Sequence, residues 1–238
     1  MGSIRQPPGV FRPDGYPDRR RKESVTQTVL IAGAHGQVGQ HVTAILGKSD
    51  HEGKAMVRND DQVEEMEAQG ADETIVADLT ETVSHAVEGC DAIIFAAGSG
   101  GNDVYGVDRD GAINLIETAE EAGVDRFVML SSMGADDPES GPDALEDYLT
   151  AKAEADEYLR QSGLEYTIVR PGELTNESGV GTIEVGDDIG LDAGDIPRED
   201  VARTLVTALE HDVLIGETFE ILSGDEPIEE ALETIAAN

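Results

Sequence analysis

Two groups of residues carry chemistry by their type and spacing. The first is Gly33-Ala34-His35-Gly36-Gln37-Val38-Gly39, which closes the apolar run TVLIAGA (28–34) and opens a helical stretch. Glycines at these places have distinct uses. Gly33 permits a tight turn, Gly36 lets backbone approach a diphosphate, and Gly39 lets helix and strand pack closely. Helix-start amides and the helix dipole then favour the negative charge. The second group is Tyr148 and Lys152, at i and i+4 on one face of a predicted helix. A phenol with its ordinary pKa of about 10 is a poor acid–base catalyst at neutral pH. A fixed cation beside it would bring it toward the working range. Beyond residue 24 the chain has only Lys48, Lys54 and Lys152, which argues against Lys152 as a solvated surface group.

Further residues fit the same chemistry. The second apolar run ends in Arg58, 19 residues beyond Gly39. An acidic residue there would accept from the ribose of NAD, whereas arginine can pair with the 2′-phosphate of NADP. Asn59, Asp60 and Asp61 follow, so NADP is preferred and NAD stays open. Asp78, with Leu79 after it, ends the third run and could accept from the adenine amino group. Ala96, Ala97 and Gly98 supply small residues where a coenzyme would lie against the sheet edge. Ser131 and Ser132 follow the fifth run, where a hydroxyl could hold a substrate carbonyl oxygen beside Tyr148. Either serine could instead cap the loop.

These residues need a scaffold, and the pattern supplies one. Short apolar runs at 54–58, 74–78, 91–98, 126–132, 165–172 and 218–222 alternate with helical stretches near 61–69, 80–88, 107–122, 144–162, 198–210 and 227–236. Ala112, Ile113, Leu115, Ile116, Ala119 and Ala122 form one apolar helix face. Such alternation predicts a single doubly wound α/β domain of the Rossmann type, with a mainly parallel sheet covered on both faces. The domain is expected over residues 25–238, with a Gly-rich acidic loop as a small substrate-side region around 172–197. Residues 1–24, rich in Pro, Gly and Arg, read as a mobile basic extension.

Composition removes whole classes of function. The 238 residues carry 51 acidic against 16 basic side chains, a formal charge of -35. Nucleic-acid or membrane binding through a basic surface is excluded for want of cations. No apolar run is long enough for a membrane span, and no signal-peptide pattern opens the chain, so a cytoplasmic protein is expected. Residues 25–238 hold 10 basic and 48 acidic groups, spread over nearly every segment. That distribution suits concentrated salt, as inside an extreme halophile, where screening quenches self-repulsion. Cys90 alone cannot form a disulfide, and the five histidines show no metal-ligand spacing. A cation site at Asp187, Asp188 and Asp192 is weaker than a solvated acidic loop, so no metal is expected.

Taken in order, GAHGQVG, the paired serines after a strand, YLTAK and IVRPG resemble the short-chain dehydrogenase/reductase superfamily. More narrowly, the chain resembles its atypical NAD(P)-binding members, the nitrogen-metabolite-repressor-like proteins and NAD(P)-dependent epimerases, from about Val25 onward. The resemblance implies an Asn–Ser–Tyr–Lys tetrad. Tyr148 would be the acid–base and Lys152 would bind ribose and lower its pKa. Ser132, or in second place Ser131, would polarise the carbonyl, and Asp108 stands at the Asn position. Pro171 and Gly172 would flank the nicotinamide. Two functions follow. One is hydride transfer to or from a small uncharged carbonyl or alcohol, in a monomer or small homo-oligomer. The alternative is a non-catalytic NADP(H) sensor or regulator.

Overall fold

A computed structural model describes residues 26–190 and 194–235. The expected extension at 1–24 and Asp192 lie outside these described residues. In chain order the elements are β1 (Thr28–Ala32), α1 (Gln37–Leu46), β2 (Glu52–Val57), α2 (Val63–Gln69), β3 (Glu73–Val76), α3 (Ser84–Val87) and β4 (Ala92–Phe95). A π-helical turn, Val104–Asp110, leads into α4 (Gly111–Ala122), followed by β5 (Arg126–Leu130), α5 (Glu146–Gln161) and β6 (Glu165–Pro171). The remainder is β7 (Glu173–Thr175), β8 (Thr182–Gly186), β9 (Asp195–Pro197), α6 (Arg198–Glu210), β10 (Thr218–Ser223), β11 (Glu226–Pro227) and α7 (Ile228–Ile235).

The nine-stranded sheet runs β11-β8-β10-β6-β5-β4-β1-β2-β3. From β3 to β10 every pairing is parallel; β8 joins β10, and β11 joins β8, antiparallel. This is the doubly wound α/β fold. Strand alternation sends Val29 and Ile31 to one face, under Val42 and Leu46 of α1 and Leu205 of α6. Leu30 and Ala32 go to the other, under Leu115 and Ile116 of α4 and Leu159 of α5. Both faces are covered, so the central strands read as continuous apolar runs. The chain reverses direction across the sheet between β1 and β4, and a crevice opens there at the carboxyl ends of the strands.

Three local expectations are corrected. The Gly-rich acidic stretch after residue 172 contains strands β7, β8 and β9 rather than loop alone, and β8 extends the main sheet. The helix expected near 80–88 is the single turn Ser84–Val87, because Asp78 folds the preceding residues into a turn by accepting from Thr80 N (2.9 Å) and Thr80 Oγ1 (2.8 Å). The helix expected from 107 begins as the π-helical turn, its start held by the Asp103 carboxylate accepting from Gly106 N (3.0 Å).

Candidate active site

The glycine loop forms the floor of the crevice. Gly33 has φ +83°, and a Cβ there would lie 2.5 Å from Ala97 Cα, so both the turn and the close approach of β4 demand glycine. A Cβ on Gly39 would collide with the Gly33 carbonyl, which is the tight helix–strand contact expected of it. Gly36 stands at the N-cap of α1, exposed, with extended backbone (φ -67°, ψ 159°) and no side-chain cap. The start of α1 therefore presents amide N–H groups to the crevice without a side chain in the way. These features fit a bound diphosphate.

Gly33, His35, Gly36, Arg58, Asp78, Leu79, Ala96, Ala97 and Gly98 all line this cleft, together with Met56, Val57, Gln62, Ala77 and Val107. Arg58 is exposed at its rim. Asp78 is held below the usual carboxylate range, chiefly by the backbone and hydroxyl of Thr80 and secondarily by the charge of Arg58. His35 has partners of its own: Nδ1 lies 3.1 Å from Gln62 Nε2, and Nε2 lies 3.1 Å from Glu65 Oε2. Gln62 also accepts from the backbone N–H groups of Arg58 (3.0 Å) and Asn59 (3.2 Å). Gln62 thus fixes the β2–α2 turn against the glycine loop, a role that sequence reasoning missed. Gln37 is exposed at the first turn of α1, whereas the Val38 side chain is buried in the core. For Val38, then, only its backbone is available to a ligand.

Beyond the cleft, α5 brings the second group together. Tyr148 is half-buried, and the Ser132 hydroxyl, which donates to the Met133 carbonyl (3.1 Å), is near enough to pull its pKa down somewhat. Asp108, on the π-helical turn, is buried; it accepts from Ser99 N (3.0 Å) and would touch a Cβ on Gly98 at 3.1 Å. It therefore stands against the cleft wall, and its charge is felt by the tyrosine. Lys152 is buried, donates from Nζ to the Leu130 carbonyl (2.6 Å) and stands 5.7 Å from the centre of the Phe95 ring. Burial lowers its pKa, opposed by the charges of Asp156 and Asp108.

Two expectations fail here. The tyrosine pKa does not fall: burial, with the charge of Asp108 next, pushes it up to about 12, and Ser132 only partly offsets this. Ser131 does not face the tyrosine. Its hydroxyl donates to buried Asp156 (2.8 Å), leaving Ser132 as the serine beside the phenol. Pro171 lies buried at the end of β6, its carbonyl accepting from Met133 N (3.1 Å), outside the residues that line the cleft. Among the described residues no three His, Cys, Asp or Glu side chains converge as a metal-ligand set, and no helix is long and apolar enough to cross a membrane.

Comparison with known proteins shows the family and agrees with the fold. A family model described as NAD(P)H-binding matches residues 33–212. The chain is 43% identical over 215 residues to the uncharacterized sugar epimerase YhfK of Bacillus subtilis, covering 87% of this chain and 99% of that protein. It is 31% identical to sanguinarine reductase of Eschscholzia californica, covering 88% and 94% of the two chains. A solved structure from Bacillus halodurans, a provisionally named NAD-dependent epimerase/dehydratase, superposes with a TM-score of 0.85 at 42% identity, covering 87% of this chain and 99% of that one.

Proposed function

Because the chain belongs to the NAD(P)H-binding family of Rossmann-fold oxidoreductase- and epimerase-like proteins, we propose that it is an NADP-dependent reductase of a small uncharged carbonyl compound. The observation that carries this reading is half-buried Tyr148 one turn before buried Lys152 on α5, with the buried Asp108 carboxylate accepting from Ser99 N beside the wall of the glycine-loop cleft. The sanguinarine reductase relative supports the direction. Bound in the cleft, a reduced nicotinamide supplies hydride.

The protein's own residues supply the rest. Ser132 donates a hydrogen bond to the substrate oxygen and orients it toward Tyr148. As the carbonyl carbon gains hydride, its oxygen becomes an alkoxide, a stronger base than a phenolate. Transfer of the Tyr148 proton is therefore downhill even from a phenol with a pKa of about 12. The phenolate regains its proton from solvent. A raised pKa suits an acid that must keep its proton until that moment, so reduction is favoured over oxidation. Lys152 stands one turn beyond the phenol on α5, its Nζ donating to the Leu130 carbonyl (2.6 Å), and its role in this reading is to hold that part of the site in place.

One observation favours a second reading, a coenzyme-binding sensor. The Lys152 ammonium is engaged by the Leu130 carbonyl, and the phenol has moved away from neutral pH. The test is a panel of aldehydes, ketones and quinones with NADPH in molar KCl, followed by nicotinamide absorbance. Saturable consumption supports the reductase. Tight NADPH binding with no consumption across the panel supports the sensor.

Arg58 provides a test of coenzyme choice. Its exposed guanidinium at the cleft rim suits a 2′-phosphate. Arg58→Ala is expected to weaken NADPH binding about tenfold or more, the value of one charge-assisted hydrogen bond. NADH binding should change less than about twofold, since that coenzyme has no 2′-phosphate to lose. Fluorescence titration of both coenzymes checks this; equal losses would refute the assignment.

A further inference from the structure

Beneath Tyr148 and Lys152 lies a carboxylate that the proton transfer does not use. Asp156, one turn beyond Lys152 on α5, is fully buried. Its Oδ2 accepts from Arg170 Nε (3.1 Å), Arg170 Nη2 (3.0 Å) and Ser131 Oγ (2.8 Å). Its Oδ1 is buried without a hydrogen-bond partner. A carboxylate so enclosed is costly unless positive charge compensates it.

The partners of Asp156 come from separate parts of the site. Ser131 immediately precedes Ser132. Arg170 immediately precedes Pro171 at the end of β6, and its Nη1 also reaches Asp136 Oδ1 (3.4 Å). Lys152 lies one turn away on the same helix and is cut off from water, so the protein must balance its charge. The carboxylates that face Lys152 are Asp156 on α5 and Asp108 on the π-helical turn. Tyr148 lies one turn before it, Arg170 stands beyond Asp156 on β6, and the Phe95 ring of β4 completes the surroundings.

We propose that Asp156 is a positioning residue for the Tyr148–Lys152 pair. It ties the serine loop and β6 to α5, and its negative charge keeps Lys152 cationic where water cannot. The hydrogen bond to Ser131 anchors that serine, whereas Ser132, whose Oγ donates only to the neighbouring Met133 carbonyl (3.1 Å), stays clear of Asp156. The catalytic half of this inference rests on the reductase reading; the half concerning the lysine charge does not.

A purely architectural role would need only a hydrogen-bond acceptor, which asparagine supplies. Asp156→Asn therefore separates charge from shape. Loss of the anion disfavours the ammonium, so the pH at which Lys152 gives up its proton must fall. The chain has only four lysines, Lys22, Lys48, Lys54 and Lys152, so protein carrying [ε-13C]lysine gives four resonances. Lys152 is assigned by the signal missing from Lys152→Met.

In the full chain in molar KCl, the Lys152 midpoint is expected to fall by at least one pH unit in Asp156→Asn, with Lys48 and Lys54 unmoved. If the protein turns over, the alkaline limb of its rate profile should move down by the same amount at unchanged KM for NADPH. A lowered melting temperature with an unmoved Lys152 midpoint would overturn the proposal. Should Asp156→Asn fail to fold, Ser131→Ala removes only the anchoring hydroxyl. A kcat at least fivefold lower, or a displaced Lys152 resonance, supports the tie; both unmoved overturn it. Absence of turnover in the unmodified protein would sink the reductase reading while leaving the resonance test to decide this one.

Discussion

Gly36→Asp should leave the protein folded and abolish coenzyme binding. Position 36 is the N-cap of α1, with extended backbone that aspartate adopts freely. The new Cβ would meet only the Gly33 carbonyl at 3.1 Å and the Ala96 carbonyl at 3.8 Å. Aspartate is a better N-cap than glycine by a few tenths of a kcal/mol, which offsets the tight contact. Stability is therefore expected to change by less than about 1 kcal/mol, and melting by circular dichroism checks that half. The carboxylate, however, would take the α1 amides for itself and set a negative charge against the incoming diphosphate. Binding of NADPH and NADH should both weaken at least about a hundredfold, or roughly 2.7 kcal/mol. Calorimetry that finds either coenzyme bound as tightly as before would remove the diphosphate from this loop.

Tyr148→Phe carries the second large effect. It deletes one hydroxyl from a half-buried ring and leaves the glycine loop untouched. The loss of the proton donor should reduce kcat about a hundredfold to ten-thousandfold, with coenzyme affinity unchanged. The pH dependence follows from the raised pKa. The phenol is the active form in reduction and is lost only as pH climbs toward about 12. The Tyr148 contribution to the rate should thus be flat between about pH 6 and 10. Oxidation of the alcohol product needs the phenolate and should rise with pH across the same window. A reduction rate that instead falls around neutral pH with a Tyr148-dependent midpoint would contradict this assignment.

How much of this was legible in the sequence differs by site. The glycine loop could be read because its steric demands are local: an apolar strand, a tight turn and a helix start occupy one short segment, and Gly33 and Gly39 meet those demands. Tyr148 and Lys152 could be read because helical spacing alone places them on one face. The electrostatics of that pair could not. Asp108 comes from a turn 40 residues earlier, and burial depends on the whole packed sheet. Ser131 and Ser132 are indistinguishable as neighbours until Asp156, on a different element, takes one of them.

The strands after residue 172 were hidden for another reason. β8 has a period-2 signal in Ile183 and Val185, but its place in the sheet comes from backbone pairing with β10, flanked by glycines that read as loop. The Asp156–Arg170 network did leave a trace. An aspartate one turn beyond a catalytic-type lysine, and an arginine directly after the apolar pair Ile168-Val169, are both out of place unless they meet.

The residues that line the coenzyme cleft run from Gly33 to Val107, whereas Ser132, Tyr148, Lys152, Asp156 and Arg170 all follow that stretch. The two tracts are therefore separate along the chain. Substitutions in the later tract can thus change the groups around Tyr148 without touching any residue that lines the cleft.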